Sequence, residues 1–279
     1  MENRLNDLNG AQWLYWTNTV YETNFPPDRT FRRRKAHGAM KPPELMAEII
    51  AFFTKTGEVV LDPFAGVGGT LIGAGLTGRR AVGIELNPEW VEVYQQLQQE
   101  FREYEGAAVP AVAGPEQGQG RAFDGELILG DCLAEMARFG DESFAAIITD
   151  PPYGCHHRPS GFQAETNFNM FSGDPADFGN SASYEDYLQK IRRFGAEALR
   201  ILQPQRYLVL LIGDRYHQGE YLPLGTMVAE TLRTVGFQWK GIRIWWNKAT
   251  QRPLKPYAVK NCFVPNITHQ NILILRKEK

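Results

Sequence analysis

The stretch EVVLDPFAGVGGT, from Glu58 to Thr70, decides how this chain folds. Its first residues, Glu58 to Leu61, read as a short apolar strand, because β-branched side chains gather there and a turn signal follows at once. Asp62 closes that strand. Gly66, Gly68 and Gly69 then form a tight turn, and a run of helical period extends from about Gly69 to Leu76. A strand that feeds a helix through a glycine-rich turn is the opening unit of an α/β sheet, and ligands of such sheets bind at the carboxyl ends of the strands. Glycine is required there because backbone must approach a ligand closely and take positive φ.

Working outward, the alternation continues. A second strand, Ala81 to Ile84, ends in Glu85, and the next helix starts with Pro88 at a favoured first-turn position. Further strands are expected at Glu126 to Leu129, Ala145 to Thr149, Tyr207 to Ile212, Gln238 to Trp246 and Asn271 to Arg276. Helices are expected from Tyr184 to Leu202 and from about Leu222 to Val235. Residues 106–125 are rich in Gly, Pro, Ala and Gln and read as a flexible insertion. Residues 155–183 lack a clear period, and a loop that long inside a domain is functional or disordered.

With 279 residues, 43% of them hydrophobic, the chain can bury one α/β core, so a single domain spanning residues 1–279 is expected, with 1–36 as an N-terminal leader. No apolar stretch reaches the length of a membrane span, and the start MENRLNDLNG is too polar for a secretory signal, which predicts a cytoplasmic protein without membrane partners. Cys132, Cys155 and Cys262 lack paired spacing, so free thiols and no metal are expected. The adjacent His156 and His157 have no carboxylate at ligand spacing and read as part of a surface loop.

Net charge is only -2, so the placement of charge matters more than its sum. No Asp or Glu occurs from Thr231 to Lys277, whereas Lys248, Arg252, Lys255 and Lys260 fall within that span beside Trp245, Trp246 and Tyr257. A second basic run comprises Arg32, Arg33, Arg34 and Lys35. Either run could be a solvated face; two of them, one interleaved with aromatics, point towards nucleic acid.

The chemistry gathers at the strand ends. Glu85 stands where an acid accepts hydrogen bonds from both ribose hydroxyls, and Asp131 after the next strand could accept from an adenine amine. Asp62 and Asp131 could equally cap the turns that follow them. An NAD enzyme would satisfy these features nearly as well, so the deciding motif is TDPPYG, Thr149 to Gly154. LDPFAGVGG, the acid-tipped strand, GDC at Gly130 to Cys132 and TDPPY occur in the order of the DNA amino-methyltransferases, which this chain resembles from about His37 to Lys277. AHGAMKPPELMAEII, with Lys41 and Pro42, resembles the segment before that family's cofactor loop, and NITHQNILILRK resembles its last strand, with Gln270 where Glu is commoner.

The resemblance implies a Rossmann-like, doubly wound, mostly parallel sheet with an antiparallel last strand, and S-adenosylmethionine as cofactor. It assigns donor contacts to Lys41, Pro42, Asp62, Pro63, Phe64, Gly66, Gly68, Glu85, Asp131 and Cys132. It assigns catalysis to Asp150, Pro151, Pro152 and Tyr153. Asp150 and the Pro151 carbonyl would each accept one hydrogen of an exocyclic amine, and Tyr153 would stack on a base flipped out of double-stranded DNA. The Pro151-Pro152 pair fixes φ and leaves its carbonyls free.

DNA contacts are expected from Arg32, Arg33, Arg34, Lys248, Arg252, Lys255 and Lys260, and target reading from residues 155–183 and 247–266. DPPY is more usual for adenine in this family and SPPY for cytosine, so Asp150 favours adenine. Methylation of guanine in transfer RNA ranks behind both, and a catalytically silent module ranks last. A monomer or homodimer, with a cognate restriction enzyme as partner, completes the expectation.

Overall fold

A computed structural model describes residues 3–105, 123–155, 172–250 and 261–279. Most of residues 106–125, the front of 155–183 and Arg252, Lys255 and Lys260 within 247–266 lie outside those described, as do His156 and His157.

The stretch read first folds as expected. Strand β2 (Val59–Asp62) leads through the glycine turn into α4 (Gly69–Leu76), and β3 (Arg80–Glu85) leads into α5 (Pro88–Glu105). The chain continues through β4 (Glu126–Leu129), α6 (Cys132–Met136), β5 (Phe144–Thr149), α7 (Tyr184–Ile201), β6 (Leu202–Ile212), α8 (Leu224–Val235), β9 (Gln238–Asn247) and β10 (Gln270–Arg276). Ahead of β2 lie α1 (Gly10–Trp16), β1 (Val20–Thr23), α2 (Phe31–Arg34) and α3 (Pro43–Phe53). Between β6 and α8, β7 (Arg215–His217) and β8 (Glu220–Leu222) form an antiparallel hairpin. Its two tip residues, Gln218 and Gly219, both have positive φ, the geometry that matches strand twist in a two-residue loop.

The main sheet runs β1-β9-β10-β6-β5-β2-β3-β4. Strands β2, β3, β4, β5 and β6 are parallel, while β10 is antiparallel to both β6 and β9. The chain departs from β2 towards β3 and then returns to its other side as β5, so the order reverses between β2 and β5. That reversal opens a crevice at the strands' carboxyl ends, and it is where an open α/β sheet binds its ligand. The doubly wound, mostly parallel sheet with an antiparallel last strand is thus the one expected.

Side chains alternate between the two faces of the sheet, as the strand period of two requires. Val60, Ala146, Ile148, Val209 and Leu211 pack against Leu45, Met46, Ile49 and Ile50 of α3 and Leu71 of α4. Leu61, Ile147, Leu208 and Leu210 pack on the opposite face with Ile191, Phe194 and Ala198 of α7 and Val228 and Leu232 of α8. Covered on both faces, β5 is buried along its whole length.

Residues 3–36, the described part of the expected leader, pack onto the sheet. Strand β1 pairs in parallel with β9, Val20 opposite Ile244, and supplies one edge of the sheet. Trp16 stacks on Phe52 at 4.2 Å between ring centroids. The Arg243 guanidinium lies between two rings, 4.0 Å from Trp16 and 4.2 Å from Tyr21, an arrangement that stabilises a desolvated cation. Strand β6 also begins at Leu202, earlier than the expected Tyr207, with a register irregularity against β5.

Candidate active site

The crevice is walled on one side by the turn after β2. Gly66 (φ 52°) and Gly68 (φ 78°) are left-handed, and Gly68 caps α4. The turn is stapled to β3, because the Ala65 amide donates to the Ile84 carbonyl (2.9 Å) and the Gly66 amide to Oε2 of Glu85 (2.8 Å). Glu85 takes a further bond at Oε1 from the Asn87 amide (2.7 Å). Each carboxylate oxygen has then accepted one hydrogen and retains capacity for another. Burial pushes this carboxyl up to about 7, more than those two amides offset.

Asp62, expected among the donor's contacts, is turned inward. Only 3% exposed, it accepts bonds from the hydroxyls of Thr70 in α4 and Thr149 in β5 and from the Phe64 amide. Its role is to clamp the crevice walls together, and burial raises it to about 6. Asp131 caps α6 through the Ala134 amide (2.8 Å), the local role that an aspartate after a strand commonly plays. Cys132 is buried, and its thiol is pushed upward by burial. Pro63 is buried, while Phe64 is half-buried with its ring 5.0 Å from Phe178.

Phe178 belongs to the back of the stretch expected to read the target, and it packs against the turn after β2 through Phe64. Asp177 organises it by accepting from the amides of Ser172 (2.9 Å) and Gly179 (2.8 Å).

The other wall is the turn after β5. Asp150 forms an ion pair with Lys41 through Oδ2, and Oδ1 accepts the Tyr153 hydroxyl at 2.6 Å. Burial raises the Asp150 carboxyl while Lys41 opposes that shift. The Pro152 carbonyl is already engaged, by the Tyr187 hydroxyl at 2.8 Å and the Gly154 amide at 3.0 Å, so the expectation that both proline carbonyls stay free is corrected. No described residue donates to the Pro151 carbonyl. Tyr153 folds back onto Asp150, with Lys41 Nζ 5.5 Å from its ring centroid and its backbone carbonyl held by Arg215 at 3.2 Å.

His37 was not singled out from the sequence, and it stands beside the glycine turn. A Cβ on Gly66 would come within 3.0 Å of its Nε2, and its buried Nδ1 has no hydrogen-bond partner among the described residues. Burial, Lys41 and Arg34 lower it to about 4, so the ring is neutral at pH 7. An orphaned buried nitrogen, close-approach glycines and a desolvated acid with spare acceptor capacity fit a polar ligand lying along the turn.

The basic run divides. Arg34 is wholly buried, paired with Asp28 at 2.7 Å and bonded to the Lys41 carbonyl at 3.2 Å. It cannot meet a phosphate, which corrects its expected DNA contact. Arg33 is exposed and pairs with Glu100, and Arg32 is exposed. Lys248 is exposed at the far edge of the sheet, paired with Glu22 and 5.0 Å from the Trp246 ring. No helix among the described residues is long and apolar enough to cross a membrane, and no group of His, Cys, Asp and Glu there could hold a metal ion.

Comparison with known proteins places this arrangement. A sequence model described as DNA methylase, of the N6/N4 type, matches residues 3–96 and 144–279, most of the chain. A tRNA (guanine(10)-N2)-dimethyltransferase from Methanothermobacter thermautotrophicus is 32% identical over 134 residues, covering 48% of this chain and 33% of that protein. The type II methyltransferase M.HinfI of Haemophilus influenzae is 36% identical over 69 residues, 25% of this chain and 19% of that one. These alignments span a third or less of the relatives' own length. TrmN from Thermus thermophilus shares the fold, with a TM-score of 0.51 at 14% identity over 88% of this chain and 53% of that one.

Proposed function

The chain belongs to the N6/N4 DNA methylase family, and from that premise we propose that it transfers the methyl group of S-adenosylmethionine to an exocyclic amino nitrogen of a base in double-stranded DNA, adenine before cytosine. The observation that carries this reading is the pairing of Asp150 with an unengaged Pro151 carbonyl at the tip of β5, next to the glycine turn of β2.

An exocyclic amine is a poor nucleophile because its lone pair is delocalised into the ring. Asp150 and the Pro151 carbonyl can each accept one amine hydrogen, so the nitrogen pyramidalises and directs its lone pair along the crevice. The bound cofactor supplies an electrophilic methyl on a sulfonium. Glu85 would hold ribose hydroxyls, while Gly66, Gly68, Pro42 and His37 line its path. Positioning and electrostatics supply the rate, and Asp150 need not be a strong base, since the amine proton becomes acidic only as the new C–N bond forms. Tyr153 leaves Asp150 to stack on the flipped base. Exposed Arg32, Arg33 and Lys248, together with Arg252, Lys255 and Lys260, contact phosphates, and residues 155–183 and 247–266 read the target. A homodimer and a cognate restriction enzyme are consistent with so short a reading region.

A second reading is methylation of a guanine amine in transfer RNA, favoured by the alignment to the archaeal enzyme. Incubation with labelled donor and either duplex DNA or transfer RNA, followed by nucleoside mass spectrometry, separates the two. Label in N6-methyl-2′-deoxyadenosine from DNA is expected. Label on the cytosine amine keeps the mechanism and changes the base, and label confined to RNA overturns the DNA assignment. Asp150→Ala should remove transfer and leave donor binding intact.

A further inference from the structure

Lys41 was expected to meet the donor, yet its ammonium lies on Asp150. The backbone of Lys41 is held on two sides: its carbonyl accepts from the buried Arg34 at 3.2 Å, and the first residue of α4 packs so closely that a Cβ on Gly69 would reach that carbonyl at 3.0 Å. Arg34 is in turn fixed by Asp28 and by the Thr30 hydroxyl at 2.7 Å. The Lys41 side chain is only 9% exposed, and its ammonium also meets the Ala39 carbonyl at 3.4 Å and the Tyr153 ring. A residue so restrained delivers its charge to one place.

Each oxygen of Asp150 already accepts one hydrogen, so an incoming amine must either share an oxygen with Lys41 or Tyr153 or displace one of them. The two contacts differ in strength. Separating a largely buried ion pair strands a desolvated charge, whereas a phenol hydroxyl is a neutral donor. The Tyr153 ring must also move if it is to stack on a base. We propose that Lys41 is a positioning residue that keeps its hold on Oδ2 throughout the reaction, orienting Asp150 as a carboxylate, while the Tyr153 hydroxyl keeps Oδ1 occupied until the target amine replaces it. This assignment rests on the amino-methylation reading for its substrate, although not for the contact itself.

The groups facing Asp150 are few. Lys41 approaches from the segment before α3, Asp62 from the tip of β2, Tyr153 from the same turn and Tyr187 from α7. Lys41 is the one cation among them, so its removal should leave only the Tyr153 hydroxyl to favour the ionised acid.

The test is a carbon NMR titration of the aspartate carboxyls in the ligand-free protein, with Asp150 assigned by Asp150→Asn. In Lys41→Met the Asp150 midpoint should rise by about one to three pH units, the scale of losing an adjacent opposite charge. Lys41→Arg should stay close to wild type, and Tyr153→Phe should move the midpoint less than Lys41→Met does. Donor affinity of Lys41→Met, by calorimetry, should stay within about threefold of wild type. The acid limb of kcat on a duplex oligonucleotide should shift upward in parallel, with KM for DNA little changed.

An unmoved midpoint, or a donor affinity reduced more than about tenfold with the rate profile unshifted, would make Lys41 a donor ligand and overturn the proposal. If Lys41→Met does not fold, the Lys41→Arg titration with its rate profile decides, because a role that needs only the charge survives that exchange. A moved midpoint without transfer to DNA would refute the functional reading and leave the Lys41 contact standing.

Discussion

Thr149, the last residue of β5, donates its hydroxyl to Asp62, the last residue of β2, and so ties together the two strands between which the sheet order reverses. The same carboxylate accepts from Thr70 on α4. One buried acid thereby fixes the glycine turn against the catalytic turn. Replacing Thr149 with Val keeps the shape and removes one of three bonds to a desolvated carboxylate. The expected cost is about 1–3 kcal/mol in urea unfolding, together with weaker donor binding, whereas a purely local effect would leave the donor affinity of the folded variant unchanged.

Glu85 gives a pH dependence whose sign can be worked out. Its folded value of about 7 lies above its ordinary value of 4.5, so between those limits the folded state holds the extra proton. Its contribution to stability is therefore greatest at low pH and is lost as pH rises towards 7. Hydroxyl donors favour the ionised acid, so donor binding near pH 6 should release protons, seen by calorimetry in buffers of different ionisation enthalpy. In Glu85→Gln the proton release should vanish and donor affinity should fall about tenfold or more. Unchanged proton release in that variant would remove Glu85 from the donor site.

Gly68 predicts a steric failure. Its φ of 78° is left-handed, and a Cβ there would lie 2.2 Å from the buried Tyr94 ring. Gly68→Ala combines backbone strain with overpacking, about 2–4 kcal/mol together, and thermal unfolding should show it. Gly57, also left-handed but with open space around it, should lose only the backbone part when changed to Ala.

Arg32 and Arg34 should part company on substitution. Arg34→Met breaks a buried pair and should cost about 3–5 kcal/mol in urea unfolding. Arg32→Ala should leave stability within about 0.5 kcal/mol. If Arg32 meets a phosphate, its loss should reduce the slope of log affinity for DNA against log salt by about 0.9. An unchanged slope removes it from the interface.

Sequence reading reached the strand ends well, because local signals mark them. The glycine turn, the acid tip at Glu85 and the proline pair after Thr149 are each written in consecutive residues, and helix α4 runs from Gly69 to Leu76 as the periodicity predicts. Long-range partnerships were not legible. Arg34 differs from Arg32 only in which way α2 turns it, and its burial depends on Asp28 and on the Lys41 carbonyl. The Lys41–Asp150 pair joins positions 109 residues apart, a distance no spacing rule spans. Strand β1 has four residues and a mixed pattern, too short to be told from a polar linker without β9 beside it.

That β1 lies at the sheet edge has a consequence for how the protein is made. Residues 20–23 leave the ribosome well before their hydrogen-bonding partners, residues 244–247. At 5–20 residues per second, the first strand waits on the order of ten seconds or more for its neighbour. Through that interval Trp16 and Tyr21 lack the Arg243 guanidinium that separates their rings in the finished domain. The edge of the sheet can therefore close only after more than 200 further residues have been made, so this border of the fold is completed late in synthesis.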